Sequence, residues 1–311
     1  MNNASQLVRG RFAPSPTGRM HAGNIFSALV TWLMVKLQHG SIVLRIEDLD
    51  TQRSKPEYID ALQRDFEMLG LTWDEGPYYQ HDREEAYRAA YEILQKKNLL
   101  YPCFCTRADL HAASAPHSGD RAIYPGTCRN LSEDERQRRL QNRSPAMRLM
   151  VPDDCISFTD EIQGFYSQNL ASECGDFLVR RSDRTFAYQL AVVIDDAAQG
   201  ISLVTRGVDL LSSTPQQMYL QDLLGYDHPH YAHVPLIVAQ DGRRLAKRNR
   251  DAALDALLAR FGSPSAVIGY IAGLCRLAPS CDPISPEELL QSFDLSLWRA
   301  NLPDTSQILW R

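Results

Sequence analysis

Apolar positions near the start of the chain follow first a helical and then a strand spacing. The segment NIFSALVTWLMVKLQHG, residues 24–40, has apolar residues at helical intervals and ends at a glycine, which predicts a helix. The next residues, SIVLRI at 41–46, are apolar and β-branched enough for a buried strand. Residues 8–12 predict the end of an earlier strand, because prolines follow at once. The predicted order is therefore strand, turn, helix, strand.

The same order recurs loosely farther along the chain. The segments PEYIDALQRDFEMLGL at 56–71 and DREEAYRAAYEILQKKNL at 82–99 predict amphipathic helices. Later apolar runs are FAYQLAVVIDDAAQG at 186–200 and ISLVTRG at 201–207. Alternation of this kind favours an α/β fold with a parallel sheet.

The regular pattern is interrupted once and changes once. Residues 101–184 break into short pieces that hold three close cysteines, several prolines and the charged stretch SEDERQRRLQNR, so we interpret them as an inserted subdomain. After residue 250 the pattern is helical. We therefore divide the chain into the first half of an α/β domain at 1–100, the insertion at 101–184, the second half of that domain at 185–242 and a C-terminal helical region at 243–311.

Composition excludes several classes of protein. With 311 residues, 44% hydrophobic and 23% charged, the chain resembles an ordinary globular protein and not a disordered one. It has no apolar run of about 20 residues and no apolar centre in its first twelve, so we expect a cytoplasmic protein without a membrane partner. Seven scattered cysteines argue against a disulfide framework. A net charge of −5 argues against indiscriminate nucleic-acid binding, so local patches must meet any such partner.

The stretch RFAPSPTGRMHAGN, residues 11–24, has the composition of an anion-binding loop. Its two prolines stiffen the turn, and Gly18 and Gly23 allow a ligand to approach the backbone. A helix beginning near Asn24 would offer free N–H groups and its positive dipole end to phosphate or carboxylate. Arg11 and His21 add positively polarised donors. Taken alone, the stretch also fits a proline-rich turn with an incidental surface histidine.

This stretch resembles the signature of class I glutamyl- and glutaminyl-type aminoacyl-tRNA synthetases, with HAGN in place of their His-Ile-Gly-His-like element. Three further segments match that family in order: RIEDLD at 45–50, LGLTWDEGPYYQHDR at 69–83, and RRLAKRN at 243–249. The last resembles the Lys-Met-Ser-Lys-Ser loop. The resemblance implies a Rossmann-type doubly wound parallel sheet, interrupted by a zinc-bearing α+β subdomain.

The chain continues only briefly after that loop and carries an inserted Cys-x-Cys at 103–105 and Tyr-x-x-x-Cys at 124–128. Together these two features are similar to the glutamyl-Q tRNA(Asp) synthetase family. Only about 60 residues follow RRLAKRN, whereas glutamyl-tRNA synthetases continue into a large domain that reads the anticodon. Members of the glutamyl-Q family activate glutamate with ATP without needing tRNA, and transfer it to the queuosine base of tRNA(Asp). The resemblance implies L-glutamate, ATP with Mg²⁺ and queuosine-containing tRNA(Asp) as partners. We expect a monomer. A short glutamyl-tRNA synthetase that charges tRNA(Glu), or a non-catalytic paralogue that binds tRNA, remains an alternative.

The resemblance also implies roles for individual residues. The glutamate-binding residues would be Arg11, Phe12, Ala13, Pro14, Ser15, Glu47, Tyr188 and Arg206. The ATP-binding residues would be His21, Gly23, Asn24 and Lys247, of which His21 and Lys247 would be catalytic. Glutamate has two carboxylates and an ammonium, which suit the two arginines and the acid respectively.

Two of these segments have other interpretations on their residues alone. A basic run such as RRLAKRN is commonly a solvated loop, and Ala246 stands where the family usually has serine. The acids of RIEDLD could instead form a metal cluster or a capped turn.

A structural zinc site is the last implied feature. Its ligands would be Cys103, Cys105, Tyr124 and Cys128, which resemble the zinc site of the glutamyl-Q family. Zinc takes four ligands in a tetrahedral set, but the spacing alone also fits buried free cysteines. The other four cysteines are expected to be packing residues. We expect no metal at the close histidines His228, His230 and His233, because no cysteine or carboxylate arrangement completes a site.

Overall fold

The computed structural model describes residues 7–106, 109, 123–242, 252–302 and 304–310. The strands are β1 Arg9–Phe12, β2 Ser41–Ile46, β3 Glu75–Tyr79, β4 Leu100–Cys103, β5 Ala146–Leu149, β6 Cys155–Asp160, β7 Gly164–Asn169, β8 Phe177–Arg180, β9 Leu203–Gly207, β10 His230–Val234, β11 Leu236–Val238 and β12 Gln307–Leu309. The helices are α1 Ala22–Lys36, α2 Pro56–Met68, α3 Glu84–Lys96, α4 Glu133–Asn142, α5 Leu170–Glu173, α6 Tyr188–Ala198, α7 Thr214–Leu224, α8 Leu254–Phe261, α9 Pro264–Leu274, α10 Pro286–Leu290 and α11 Leu295–Asn301. Short 3₁₀ helices cover Gln80–Arg83 and Val208–Ser213.

A Rossmann-like parallel sheet forms the centre of the fold. Strands β1, β2 and β3 pair in parallel, and β9 pairs in parallel with β10. The amide of Ser202, just before β9, donates to the carbonyl of Arg9 in β1 at 2.9 Å, so the two groups of strands lie side by side. The strands therefore follow the order β3, β2, β1, β9, β10. Their parallel pairing is what the alternating pattern predicted for an α/β fold.

Helix α1 is apolar on nearly all sides, and other parts of the core cover nearly all of its surface. Eleven of its residues are buried, including the large Phe26 and Trp32. A helix of this composition is typical of a core between layers. Gly10 of β1 makes the close packing possible, since an added Cβ would lie 2.4 Å from the Val35 side chain.

The interrupted part of the sequence forms antiparallel strands. Strands β4, β5 and β8 make a three-stranded antiparallel sheet, and β6 and β7 make a hairpin. Helix α4, the charged stretch of the sequence, has no buried residue. The amide of Glu161, after β6, donates to the carbonyl of Tyr231 in β10, so the hairpin lies against the parallel sheet.

The C-terminal region is helical, as expected, with one exception. Helices α8 and α9 lie in the region whose pattern was helical, and both contribute to the core beside α1. Strand β12, however, pairs in parallel with β11, which the sequence pattern did not predict. Its three residues are too few to show a period.

No single helix in the described ranges is both long and apolar enough to cross a membrane. The pair α8 and α9 reaches that length and composition only together, and its two helices are bent by 101°.

A buried charge cluster ties three elements together. The Oδ1 atom of Asp196 in α6 accepts hydrogen bonds from Arg45 Nη1 in β2 at 2.7 Å and from Arg11 Nε in β1 at 3.3 Å. Arg45 Nη1 also donates to Gln199 Oε1 at 2.8 Å. Burial raises the pKa of the Asp196 carboxyl, but the charges of Arg45 and Arg11 outweigh burial and hold the pKa below its ordinary value. The carboxylate thus fixes α6 against the sheet.

We expect Asp196→Asn to destabilise the protein strongly. Removing the anion leaves the buried guanidinium groups of Arg11 and Arg45 with too little negative charge beside them. Removing one partner of a buried ion pair costs on the order of 3 kcal/mol. The free energy of unfolding from urea denaturation measures the loss. Glu84→Gln is the matched control, because Glu84 pairs with Arg88 on an exposed helix face. Equal stability of the two variants would contradict this role for Asp196.

Candidate active site

A cavity of about 550 Å³ opens at the carboxyl ends of β1, β2 and β9. Ligands of parallel α/β sheets bind in this position. The sequence-predicted residues that line it are Arg11, Phe12, Ala13, Pro14, Ser15, His21, Asn24, Glu47, Tyr188 and Arg206. The fold thus brings every residue predicted for glutamate to one cavity. Gly23 lines a neighbouring cavity of about 290 Å³, which shares His21 and Asn24 with the first.

Arg11 forms one charged wall of the cavity. It is buried at the middle of β1, and its Nη1 donates to the carbonyl of Thr205 in β9 at 3.0 Å, while its Nε donates to Asp196. These two bonds orient the guanidinium plane. Asp196 and Thr205 are supporting residues that the motif did not reveal, although the pair of acids in the apolar run VVIDDAAQG was a signal for the first.

Glu47 supplies the negative charge of the cavity. Its amide donates to the carbonyl of Pro14 at 3.0 Å, which joins the proline loop to the end of β2. Arg45 Nη2 donates to Glu47 Oε1 at 3.3 Å. Burial raises the pKa of Glu47 above its ordinary value, and the charges of Arg45 and Arg11 only partly offset this. The carboxylate is therefore poised to gain from a cation in the cavity.

Aromatic side chains complete this half of the site. Phe12 is buried and stacks on Phe66 with ring centroids 4.7 Å apart. Tyr188 begins α6, and burial raises the pKa of its phenol, with a further contribution from the charge of Glu47. The phenol therefore stays protonated and can act as a hydrogen-bond donor.

Arg206, in β9, is the second buried arginine. Its Nε donates to His233 Nε2 at 3.0 Å, and its Nη2 donates to Thr214 Oγ1 at 2.8 Å. Its Nη1 is buried and has no hydrogen-bond partner among the described residues. A buried N–H without a partner is costly, so a hydrogen bond from this atom to an anionic ligand would stabilise the site.

The start of α1 differs from the expectation. The helix begins at Ala22, not near Asn24, and His21 is its N-cap. The Gly23 amide donates to His21 Nδ1 at 3.2 Å, and the Asn24 amide donates to the His21 carbonyl at 2.8 Å. The first-turn amides of Gly23 and Asn24, predicted to be free, are therefore engaged within the cap. Because Nδ1 accepts a bond, the neutral His21 ring carries its proton on Nε2.

A second cluster lies in the inserted part of the chain. The Sγ atoms of Cys103, Cys105 and Cys128 all lie within 4.8 Å of one another, with 3.7 Å between Cys105 and Cys128. The Tyr124 hydroxyl is 3.5 Å from Cys103 Sγ and accepts a bond from the Cys128 amide at 2.8 Å. The four residues predicted from the sequence are thus together.

Arg148 is a neighbour of this cluster that the sequence did not point to. Its Nε lies 3.2 Å from Cys103 Sγ, and its guanidinium carbon lies 3.6 Å from the centre of the Tyr124 ring. Burial raises the pKa of the Cys103 thiol, but the hydrogen bonds from Tyr124 and Arg148 outweigh it and lower the pKa. Burial and the adjacent sulfur atoms raise the pKa of Cys105 to about 12.

The family model described as tRNA synthetases class I (E and Q), catalytic domain, matches residues 7–294. The chain is 45% identical to the glutamyl-Q tRNA(Asp) synthetase of Symbiobacterium thermophilum, an alignment that covers 93% of each protein. It is also 45% identical to the enzyme of the same name from Nitratidesulfovibrio vulgaris, over 91% of this chain and 90% of that one. The chain belongs to the glutamyl-Q tRNA(Asp) synthetase family.

A solved structure supports the assignment of the chain to the class I tRNA synthetases. The glutamate tRNA ligase from Elizabethkingia meningosepticum, in complex with its amino acid, is 29% identical and superposes with a TM-score of 0.79. The superposition covers 97% of this chain and 67% of that one. The glutamyl-Q family member described here thus has the class I catalytic fold.

Some motif residues of this glutamyl-Q family member lie outside the described residues. Lys247 and Ala246 both fall in residues 243–251, so the predicted role of Lys247 stays a prediction.

The acids of RIEDLD and the close histidines each contact different residues and do not form a common site. Within RIEDLD, Asp48 pairs with His81, while Asp50 Oδ2 accepts from Arg53 Nε at 2.7 Å in a turn. The three carboxylates therefore do not converge. The close histidines also diverge, because His228 contacts Asp222 at 2.9 Å and His230 contacts Glu161 at 3.4 Å.

Two substitutions separate the capping role of His21 from its chemistry. We expect His21→Ala to lower the free energy of unfolding by about 1 kcal/mol, because alanine cannot accept the capping bond. Asparagine is a good N-cap, so His21→Asn should retain most of that stability while lacking the ring Nε2. Urea denaturation of both variants makes the comparison. Equal destabilisation by both would mean that the side-chain cap contributes nothing.

Proposed function

We propose that the chain activates L-glutamate with ATP to glutamyl-adenylate without tRNA and transfers the glutamyl group to queuosine in tRNA(Asp). The observation that carries this is the charge pattern of one cavity: the two buried arginines Arg11 and Arg206 and the partly buried acid Glu47, beside His21. That pattern complements an amino acid with two carboxylates and one ammonium. The names of the curated relatives support the acceptor, tRNA(Asp).

In the first step, a carboxylate oxygen of glutamate attacks the α-phosphorus of ATP, and pyrophosphate leaves. No protein nucleophile is needed, so the chain contributes position and charge. Arg11 and Arg206 would hold the two carboxylates, and Glu47 would hold the ammonium. The Nε2 proton of His21 would contact the phosphates, with Lys247 stabilising the charge that develops and Mg²⁺ accompanying ATP.

In the second step, an oxygen of the queuosine cyclopentene-diol attacks the glutamyl carbonyl. The new ester bond replaces the bond to phosphate, and AMP leaves. We propose that the active form is a monomer, since Arg11, Glu47, Tyr188 and Arg206 line one cavity within a single chain.

Two assays test the proposal. ATP–pyrophosphate exchange that depends on glutamate and needs no tRNA is expected, followed by incorporation of labelled glutamate into queuosine-containing tRNA(Asp). Transcribed tRNA(Asp) without queuosine is the matched control and should remain unlabelled. Charging of tRNA(Glu) at its 3′ end would instead identify a short glutamyl-tRNA synthetase. Absence of exchange with every amino acid would favour a non-catalytic paralogue.

The raised pKa of Glu47 predicts a pH dependence of glutamate binding. Only the carboxylate form pairs with the ammonium, so affinity is present above this pKa and is lost as pH falls through it. We expect the KM for glutamate to rise as the pH of the exchange assay is lowered from about 8 to about 5. Glu47→Gln should bind glutamate weakly at every pH and lack this dependence. An identical acid limb in both proteins would exclude Glu47 as its source.

We further propose that Cys103, Cys105, Tyr124 and Cys128 hold one structural zinc ion. Ligands about 2.3 Å from a tetrahedral zinc lie about 3.8 Å apart, close to the 3.7 Å between two of the sulfur atoms. Binding would deprotonate the thiols, and the adjacent guanidinium of Arg148 offsets the resulting negative charge.

Metal analysis of the purified protein tests the zinc site. We expect one zinc per chain, and its loss in Cys103→Ser, because a hydroxyl is a much poorer zinc ligand than a thiolate. Cys155→Ser is the control, since Cys155 is exposed and lies outside the cluster. Stoichiometric zinc in Cys103→Ser would remove this residue from the ligand set.

A further inference from the structure

Behind Arg206 lies a line of buried hydrogen-bonded side chains that no motif assigns. It consists of Asp160 at the end of β6 and His233 in β10. We propose that Asp160 and His233 are positioning residues that aim the guanidinium of Arg206 at a carboxylate of the bound amino acid. The inference rests on the proposed function, because it takes that carboxylate to belong to glutamate.

Asp160 is fully buried and held from several sides. Its Oδ1 accepts hydrogen bonds from the amides of Ile162 at 3.0 Å and Gln163 at 2.8 Å, within its own turn. The amide of His233 donates to the same carboxylate at 3.1 Å. Its Oδ2 lies 2.6 Å from His233 Nδ1. The hairpin of the inserted segment thus provides a fixed acceptor for the histidine.

That acceptor selects one form of His233. Since an ionised carboxylate only accepts, His233 Nδ1 must carry a proton and donate it to Asp160. His233 Nε2 then has its lone pair toward Arg206 Nε, which donates to it at 3.0 Å. Burial lowers the pKa of His233 and the charge of Arg206 lowers it further, although Asp160 acts in the opposite direction. The ring is therefore neutral, which is the form that the bond from Arg206 requires.

The result is an arginine fixed at two of its three nitrogen atoms. Nε is held by His233, and Nη2 is held by Thr214, whose hydroxyl also lies 3.3 Å from His233 Nε2. Nη1 is buried and has no partner in the described part of the chain, and Arg206 is one of the residues that line the cavity. Preorganised donors of this kind bind an anion without first losing side-chain freedom.

Replacing Asp160 by asparagine should disturb this geometry while changing the side chain little. An amide nitrogen of asparagine can donate to Nδ1, which moves the ring proton to Nε2. Two N–H groups, Nε2 of His233 and Nε of Arg206, would then face each other, and the guanidinium must turn away.

The experiment measures KM for glutamate and for ATP separately in the exchange assay. Asp160→Asn and His233→Leu should each raise the glutamate KM at least tenfold, with the ATP KM changed less than twofold. His233→Gln should restore part of the loss, because its carbonyl oxygen can accept from Arg206. Glu161→Gln is the matched control, since Glu161 follows Asp160 directly and pairs with His230 of β10 on the surface. It should leave both KM values unchanged.

Each other outcome overturns the inference. A glutamate KM like that of the wild type in folded Asp160→Asn, or equal changes in the KM values for glutamate and ATP, would leave the pair with a structural role only. If Asp160→Asn does not fold, the comparison of His233→Gln with His233→Leu decides, and equal glutamate KM values would refute positioning. Failure of the wild type to catalyse any exchange would instead refute the proposed function.

Discussion

The site depends on the carboxylate of Asp196, which lies in the core between two arginines. A buried charge is tolerated only where an opposite charge and hydrogen bonds compensate it. Here the compensation comes from Arg45 of β2 and Arg11 of β1, so helix α6 can occupy only one position on the sheet. That position places Tyr188, the first residue of α6, at the cavity. The Asp196 carboxylate also orients Arg11, whose guanidinium could otherwise adopt many side-chain conformations.

Arg206 is supported in the same physical manner from a different part of the chain. Its support passes through His233 to Asp160, which the β6–β7 hairpin contributes. Arg11 is therefore held directly by a buried carboxylate and Arg206 through His233, and neither Asp196 nor Asp160 is among the residues that line the cavity. An arginine fixed in this way can hold a carboxylate in one orientation. The inserted segment thus contributes to the geometry of the main cavity and also carries the separate cysteine cluster.

Much of the local structure was predictable because it depends on neighbouring residues. The apolar stretch 41–46 is a strand and 56–71 contains a helix, as their periods indicated. The start of α1 was predicted two residues too late, since His21 is an unusual N-cap and its ring takes the first-turn amide. Strand β12 was missed, because three residues form a strand only when β11 is already in place beside them.

The sequence by itself determined the α/β alternation, the cavity-lining motif residues and the four residues of the cysteine cluster. The alternation follows from local periodicity, whereas the cavity-lining residues and the cysteine cluster were identified through the resemblance of their motifs to the synthetase family. Only the tertiary structure decided which residues hold those side chains. Asp196 lies 185 residues from Arg11, and Asp160 lies 73 residues from His233. Long-range pairing of buried charges follows from how the sheet, the helix and the hairpin pack, and no local pattern in the chain encodes that packing.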